Sequence, residues 1–272
     1  MEFKEIVKEW QMEFPILSKY TTATLMARTD IFLIGLRLDR RWSEMYDVVL
    51  EILPLWVPKE KIIIPVFREY ALNKKGIQIG LECKLHDPLL PDYVEAQKKR
   101  GAEIDPKKFE LQRATRRRII EQAMECVHEQ FDYIFQENVG LSTIFNLIKI
   151  ATSRIDKNHH HPNDWFDIFE LELALAYYFY NEDLIFKVKL EIEKEYKHWE
   201  KKQYDDEYKE FIKKWKADLY RRMEDRKAFM RQVEMNLSLK KISKLKQIHI
   251  HDDMERGKTL LQKLGNFLRP NK

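Results

Sequence analysis

Glycine is scarce in this chain. There are seven in 272 residues, where average usage of about 7% would give roughly 19. They stand at positions 35, 76, 80, 101, 140, 257 and 265 and never cluster. A loop that cradles phosphate brings backbone N–H groups close to the ligand, and clustered glycines are what allow that approach. Walker-type, dinucleotide-binding and kinase-type phosphate loops are therefore disfavoured. Cysteine is scarcer still. Cys83 and Cys126 cannot build a disulfide framework, so the composition asks for no oxidising compartment. Long apolar runs are missing too. The longest, such as 174–180, are far shorter than the roughly 20 residues of a membrane span. The opening MEFKEIVKEW lacks the apolar stretch of a signal peptide. These absences predict a cytoplasmic protein without a membrane partner.

What is present points to a folded chain. Hydrophobic residues make up 44% and charged residues 35%, and six tryptophans accompany them. Disordered chains are poor in such aromatics. Net charge is +4 but unevenly placed. From Lys187 onward there are 24 Lys/Arg against 15 Asp/Glu, while the first 186 residues hold 25 against 30. A basic C-terminal part opens two readings: a surface for nucleic acid or an acidic partner, or helices that dock on the acidic remainder.

Phe3, Ile6, Val7, Trp10 and Phe14 recur at helical spacing, so the chain opens with an amphipathic helix ended by Pro15. Residues 20–28 and 30–42, MYDVVLEILPLW, KIIIPVF and GIQIGLECKL are rich in β-branched and aromatic residues and read as strands, KIIIPVF as an edge or irregular one because Pro65 interrupts it. Their short connections favour antiparallel pairing. Beyond HDPLLPDYV the pattern is almost wholly helical: about 105–138, 141–153, 165–180, 183–203 and 206–236, then one or two short helices. The expected fold is α+β, an N-terminal helix and a four- to five-stranded, mainly antiparallel sheet followed by a bundle of five to seven helices. The division falls at 1–104 and 105–272. With no linker between them, the two parts are expected to share one core.

Glu82 and Lys84 alternate on one predicted strand and so point to one face, where an acid and a lysine suit Mg²⁺ and an attacking water. GLECKL resembles the acid-x-lysine strand of restriction-endonuclease-like nucleases. That resemblance, over about a third of the chain, implies a Mg-dependent nuclease. The family also places an aspartate on the preceding strand. KIIIPVF has none, and the nearest acids are Glu69 and Asp47. The other reading is a solvent-facing sheet surface.

Arg37, Asp39 and Arg41 alternate in the same way and, with Asp47, Glu51, Glu82 and Lys84, predict a charged sheet face. Arg113, Arg116, Arg117 and Arg118 form a basic turn on a helix, and Lys240, Lys241 and Lys244 a basic segment near the end. The arginines suit phosphate, or a pairing with the acidic N-terminal part of the same chain, and the lysines suit nucleic acid. His159, His160 and His161 precede a helix, and His249-x-His251-x-Asp253 has metal-ligand spacing; each is a metal candidate or a plain polar segment. Glu125-x-x-His128 and Glu195-x-x-His198 match di-iron pairs as letters. Helical rotation turns Glu125 and His198 away from their buried stripes, and bundle-core ligands must point inward.

The function expected from this pattern is non-enzymatic binding of another macromolecule, most plausibly a protein, in an inhibitor, immunity or defence-accessory role. No cofactor is expected, save Mg²⁺ in the nuclease reading. The alternatives are that nuclease, or nucleic-acid binding through the basic C-terminal helices.

Overall fold

A computed structural model describes residues 3–42, 45–82, 99, 101, 106–154 and 161–254. The helix α1 (Phe3–Glu13) buries Ile6, Val7 and Trp10 along the predicted stripe, and Phe14 stacks on Trp10 just beyond it. Among the described residues six strands make the main sheet: β1 (Ser18–Lys19), β2 (Thr24–Arg28), β3 (Phe32–Trp42), β4 (Met45–Pro54), β5 (Phe67–Tyr70) and β6 (Gly80–Glu82). β1 pairs with β2, β2 with β3, and β4 with both β5 and β6, all antiparallel, while β3 and β4 are neighbours. Six helices follow in the described residues: α2 (Pro106–Phe131), α3 (Leu141–Ser153), α4 (Asn163–Tyr178), α5 (Glu182–Glu200), α6 (Asp206–Glu224) and α7 (Arg226–Leu237). The chain is therefore α+β as the patterning indicated. Two short strands, β7 (Asn138–Gly140) and β8 (His249–His251), complete it.

The β2–β3 turn is closed by a side chain. Thr29 Oγ1 accepts from the backbone N–H of Ile31 and Phe32 and donates to the Phe32 carbonyl, a local device that fixes the hairpin. Two expected elements differ. A 3₁₀ turn at Lys59–Lys61 runs into KIIIPVF at its first residue, and the strand begins only at its last, Phe67, because Pro65 has no N–H to give a ladder. Within the described residues of GIQIGLECKL the strand is Gly80–Glu82, and Gln78 adds an isolated antiparallel bridge to Leu72. Its start is occupied by a turn in which Asn73 Oδ1 accepts from Lys75 and Ile77 N–H, with Gly76 at φ +73°, leaving Ile77 exposed.

The helix expected over 206–236 is two. Asp225 interrupts it and accepts from Ala228 N–H, capping α7 while it terminates α6. The tail after α7 is turns and the strand β8 where short helices were expected, as far as residue 254.

By contacts the chain forms two units, each discontinuous: 1–53, 67–138 and 239–249 in the first, 54–66, 139–238 and 250–272 in the second. The first holds the sheet, α1 and α2. The second holds α3 to α7. Within it Asn236 of α7 is fully buried, and its Nδ2 donates to the carbonyls of Leu55 and Val57 at 2.8 and 2.7 Å. Such a buried amide satisfies two carbonyls that no strand partner serves, which fixes the 55–57 segment on the helix. The N-terminus of α3 is capped by a residue 111 positions away. Asp253 accepts from Ser142 N–H and Oγ–H at 2.8 and 2.6 Å, and these bonds hold its carboxyl below the usual range despite the opposing effect of burial.

Candidate functional site

The charged sheet face is assembled in the first unit. β4 and β5 are in a register that sets Glu51 opposite Arg68. Arg68 Nε and Nη2 reach Glu51 Oε1 at 3.0 and 2.9 Å, and Nη2 also reaches Asp39 Oδ2 at 2.8 Å. Arg37 stands 3.4 Å from Asp39 and 3.7 Å from Glu51. Glu51 is only 2% exposed, whereas Arg68 is 36% exposed. Burial pushes the Glu51 carboxyl up, against the pull of Arg37 and then Arg68. Burial also works against the Arg68 charge, but Glu51 and Asp39 outweigh it and hold its proton more tightly. Two arginines thus face two carboxylates, and each charge finds its opposite inside the cluster. Such a group holds the sheet together more than it offers free charge to a ligand.

The nuclease candidates are spread differently. Asp47 is buried on β4, and the ladder pairs Asp47 with Gly80 and Met45 with Glu82, so positions 47 and 82 are close in register. Glu69 pairs with Leu50 and lies on the opposite face of the sheet from Asp47 and Glu51. Lys84 lies outside the described residues, as do His159 and His160. Arg41, Arg113, Arg116 and Glu82 belong to β3, α2 and β6 by backbone, and their side chains also lie outside what the structure describes. Among the described residues no group of three His, Cys, Asp or Glu could hold a metal ion.

Arg117 is committed within the first unit, to Glu9 at 2.7 Å and Glu121 at 2.8 Å. His128 stacks on Phe14 and meets Glu13 at 2.8 Å; Glu125 and His198 are exposed, as their helical rotation requires. His161 is exposed beside Tyr208. His249 and His251 lie exposed on β8. Lys240 and Lys244 are exposed, and Lys241 sits 3.7 Å over the Tyr20 ring.

A second surface, in the second unit, carries free charge. α5 buries Leu184, Ile185, Val188, Ile192 and Trp199. At 100° per residue, Phe186, Leu190, Lys194, Lys197 and Lys201 fall within about 80° of one another on the outer side. Phe186 and Leu190 are 63% and 59% exposed. All three lysines are exposed and have no carboxylate partner among the described residues. Lys189 and Lys216 nearby behave differently, paired to Glu224 and Glu193 at 2.9 and 3.0 Å. A shallow depression of about 350 Å³ is lined by Leu190, Glu193, Lys194, Lys197, His198 and Lys201, and Glu193 there is taken up by Lys216 and Tyr220.

Sequence reasoning fixed on the inner stripe of this helix and passed over the outer one. The signal was present: Phe186 and Leu190 are large apolar residues off the buried face, at i, i+4 spacing. On the adjoining α4, Glu172 is also new. Burial and then Glu191 push its carboxyl up to about 8, with Lys187 opposing. No protein-family model, curated protein or solved structure matches this chain.

Proposed function

We propose that this protein works by binding a second protein, and that the outer face of α5 is where it does so. The observation that supports this reading is the pairing of two solvent-exposed apolar side chains, Phe186 and Leu190, with three lysines that lack carboxylate partners among the described residues. Isolated apolar residues on a surface need no explanation. Here they adjoin, one turn apart, and the rest of the stripe is cationic. The fitting partner is an amphipathic helix with leucine-like anchors on one side and Asp or Glu flanking them. Apolar anchors would supply affinity, and the lysines register and association rate. A protein acting by occupancy in this way suits an inhibitor, immunity or defence-accessory role.

A labelled helical peptide with leucines on one face and glutamates beside them tests the chemistry. Saturable binding that weakens with salt is expected. Phe186→Ala/Leu190→Ala, or K194E/K197E/K201E, should each lower affinity by about tenfold or more. The same peptide with lysines replacing its glutamates should not bind. Equal binding of both peptides, or indifference to both sets of substitutions, would sink the proposal.

A further inference from the structure

We infer that the first unit carries a separate site for the phosphate backbone of duplex nucleic acid, formed by Lys19, Lys240, Lys241, Lys244 and Lys246. Two stretches distant in sequence build it. The 239–249 segment is held along β2 by a parallel bridge between Arg28 and Gln247, in which Arg28 N–H donates to the Lys246 carbonyl and Ile248 N–H to the Arg28 carbonyl, both at 2.9 Å. The Arg28 guanidinium reinforces it through Gln247 Oε1 at 2.7 Å and the Leu245 carbonyl at 3.3 Å. Lys246 Nζ donates to the Pro15 carbonyl, and Lys241 lies over Tyr20, so the segment also meets the turn and edge strand at 15–20.

The sorting of side chains along this segment is complete. Ile242, Leu245 and Ile248 are buried, while Lys240, Lys241, Lys244 and Lys246 are exposed, as is Lys19 on β1. Neither 239–249 nor 15–29 contains an Asp or Glu. Asp30, immediately after 15–29, is occupied by Gln247 Nε2 at 2.9 Å. None of the five lysines has a carboxylate partner among the described residues. A lysine on an edge strand discourages edge-to-edge pairing, which accounts for Lys19 alone. It does not account for four more converging on the same edge from the other end of the chain.

The kind of polyanion follows from what the patch lacks. Ile242, Leu245 and Ile248 point inward and Leu239 is half-buried, so no fully exposed apolar side chain of 239–249 stands ready to insert between lipid headgroups or to anchor a protein helix. Its one aromatic, Tyr20, is half-buried and covered by Lys241, so it offers no free face on which an unpaired base could stack. Lysines on a rigid scaffold without base-reading groups fit the backbone of a duplex, read by charge alone.

Fluorescence anisotropy of the full chain with a labelled duplex of about 20 base pairs, titrated with salt, is the test, with about five phosphates in contact expected to give a log–log slope of about −4.5. K240E/K244E should weaken binding by at least tenfold and flatten that slope, with the circular-dichroism melt unchanged because both side chains are exposed. If that variant does not fold, K240A/K244A should lower the slope by about 2. Three results would overturn the assignment: no salt-dependent binding; single strands bound as well as the duplex; or phosphatidylserine vesicles bound in preference to nucleic acid. Binding unaltered in the lysine variants would place the site elsewhere and overturn it equally.

Discussion

Arg68→Leu is expected to destabilise the protein by about 2–3 kcal/mol at pH 8, read from urea unfolding. Removing one partner of a buried ion pair generally costs more, but Arg68 is itself 36% exposed and water screens part of its attraction. Arg37, 3.7 Å from Glu51, also remains. The loss comes from Glu51, which is 2% exposed and would lose its hydrogen-bonded partner, keeping only the more distant Arg37 against its charge. Its sign with pH follows. Burial already raises the Glu51 carboxyl, and without Arg68 it rises further. The folded variant therefore binds a proton that the unfolded chain releases, and its deficit grows as pH climbs above the ordinary glutamate range and shrinks toward pH 5. Arg68→Leu/Glu51→Leu should recover most of the loss. A deficit that does not change between pH 5 and 8, or a double variant no better than the single, would show that the pair is not what holds β4 to β5.

Gly35→Ala should cost about 3 kcal/mol, the upper part of the range for forced overpacking. A Cβ at this position would stand 1.9 Å from the Leu25 carbonyl oxygen and 2.8 Å from Met26 Cα. Both are backbone atoms of β2, laddered to β3 in a register that pairs Met26 with Gly35. No side chain can swing away to make room, so the strands must part. Gly76→Ala offers a contrast. There a Cβ meets nothing within 4 Å but the backbone sits at φ +73°, and the cost should be about 1 kcal/mol. Because β2 also carries Arg28, hydrogen exchange at Ile248 N–H should quicken in Gly35→Ala and not in Gly76→Ala. Equal stability losses would contradict this account of the hairpin.

Periodicity carried the parts of the fold that depend on one element alone. The inner stripes of α1 and α5 are visible in Ile6, Val7 and Trp10 and in Val188, Ile192 and Trp199, because a helix repeats its buried face locally. The break at Asp225 was hidden among good helix formers, and only its side-chain bond to Ala228 N–H reveals it as a cap. Site residues divide in the same way. Arg37 and Asp39 alternate on one strand and read as a charged face, whereas Arg68 joins them only through the β4–β5 register, which no local pattern encodes. Lys240, Lys241 and Lys244 stand out as a basic run. Lys19 and Tyr20 meet them only because Arg28 bridges to Gln247, some 219 residues away.

The claim that the outer face of α5 binds a second protein is tested most directly inside the cell that makes this chain. A photo-crosslinking benzoylphenylalanine would replace Leu190 and, as a control, exposed Arg231 on α7. Position 190 should yield one discrete adduct with another protein, lost when K194E/K197E/K201E is added, and position 231 should yield none. An adduct that survives the charge reversal, one equally strong from 231, or a product containing only two copies of this chain would contradict it.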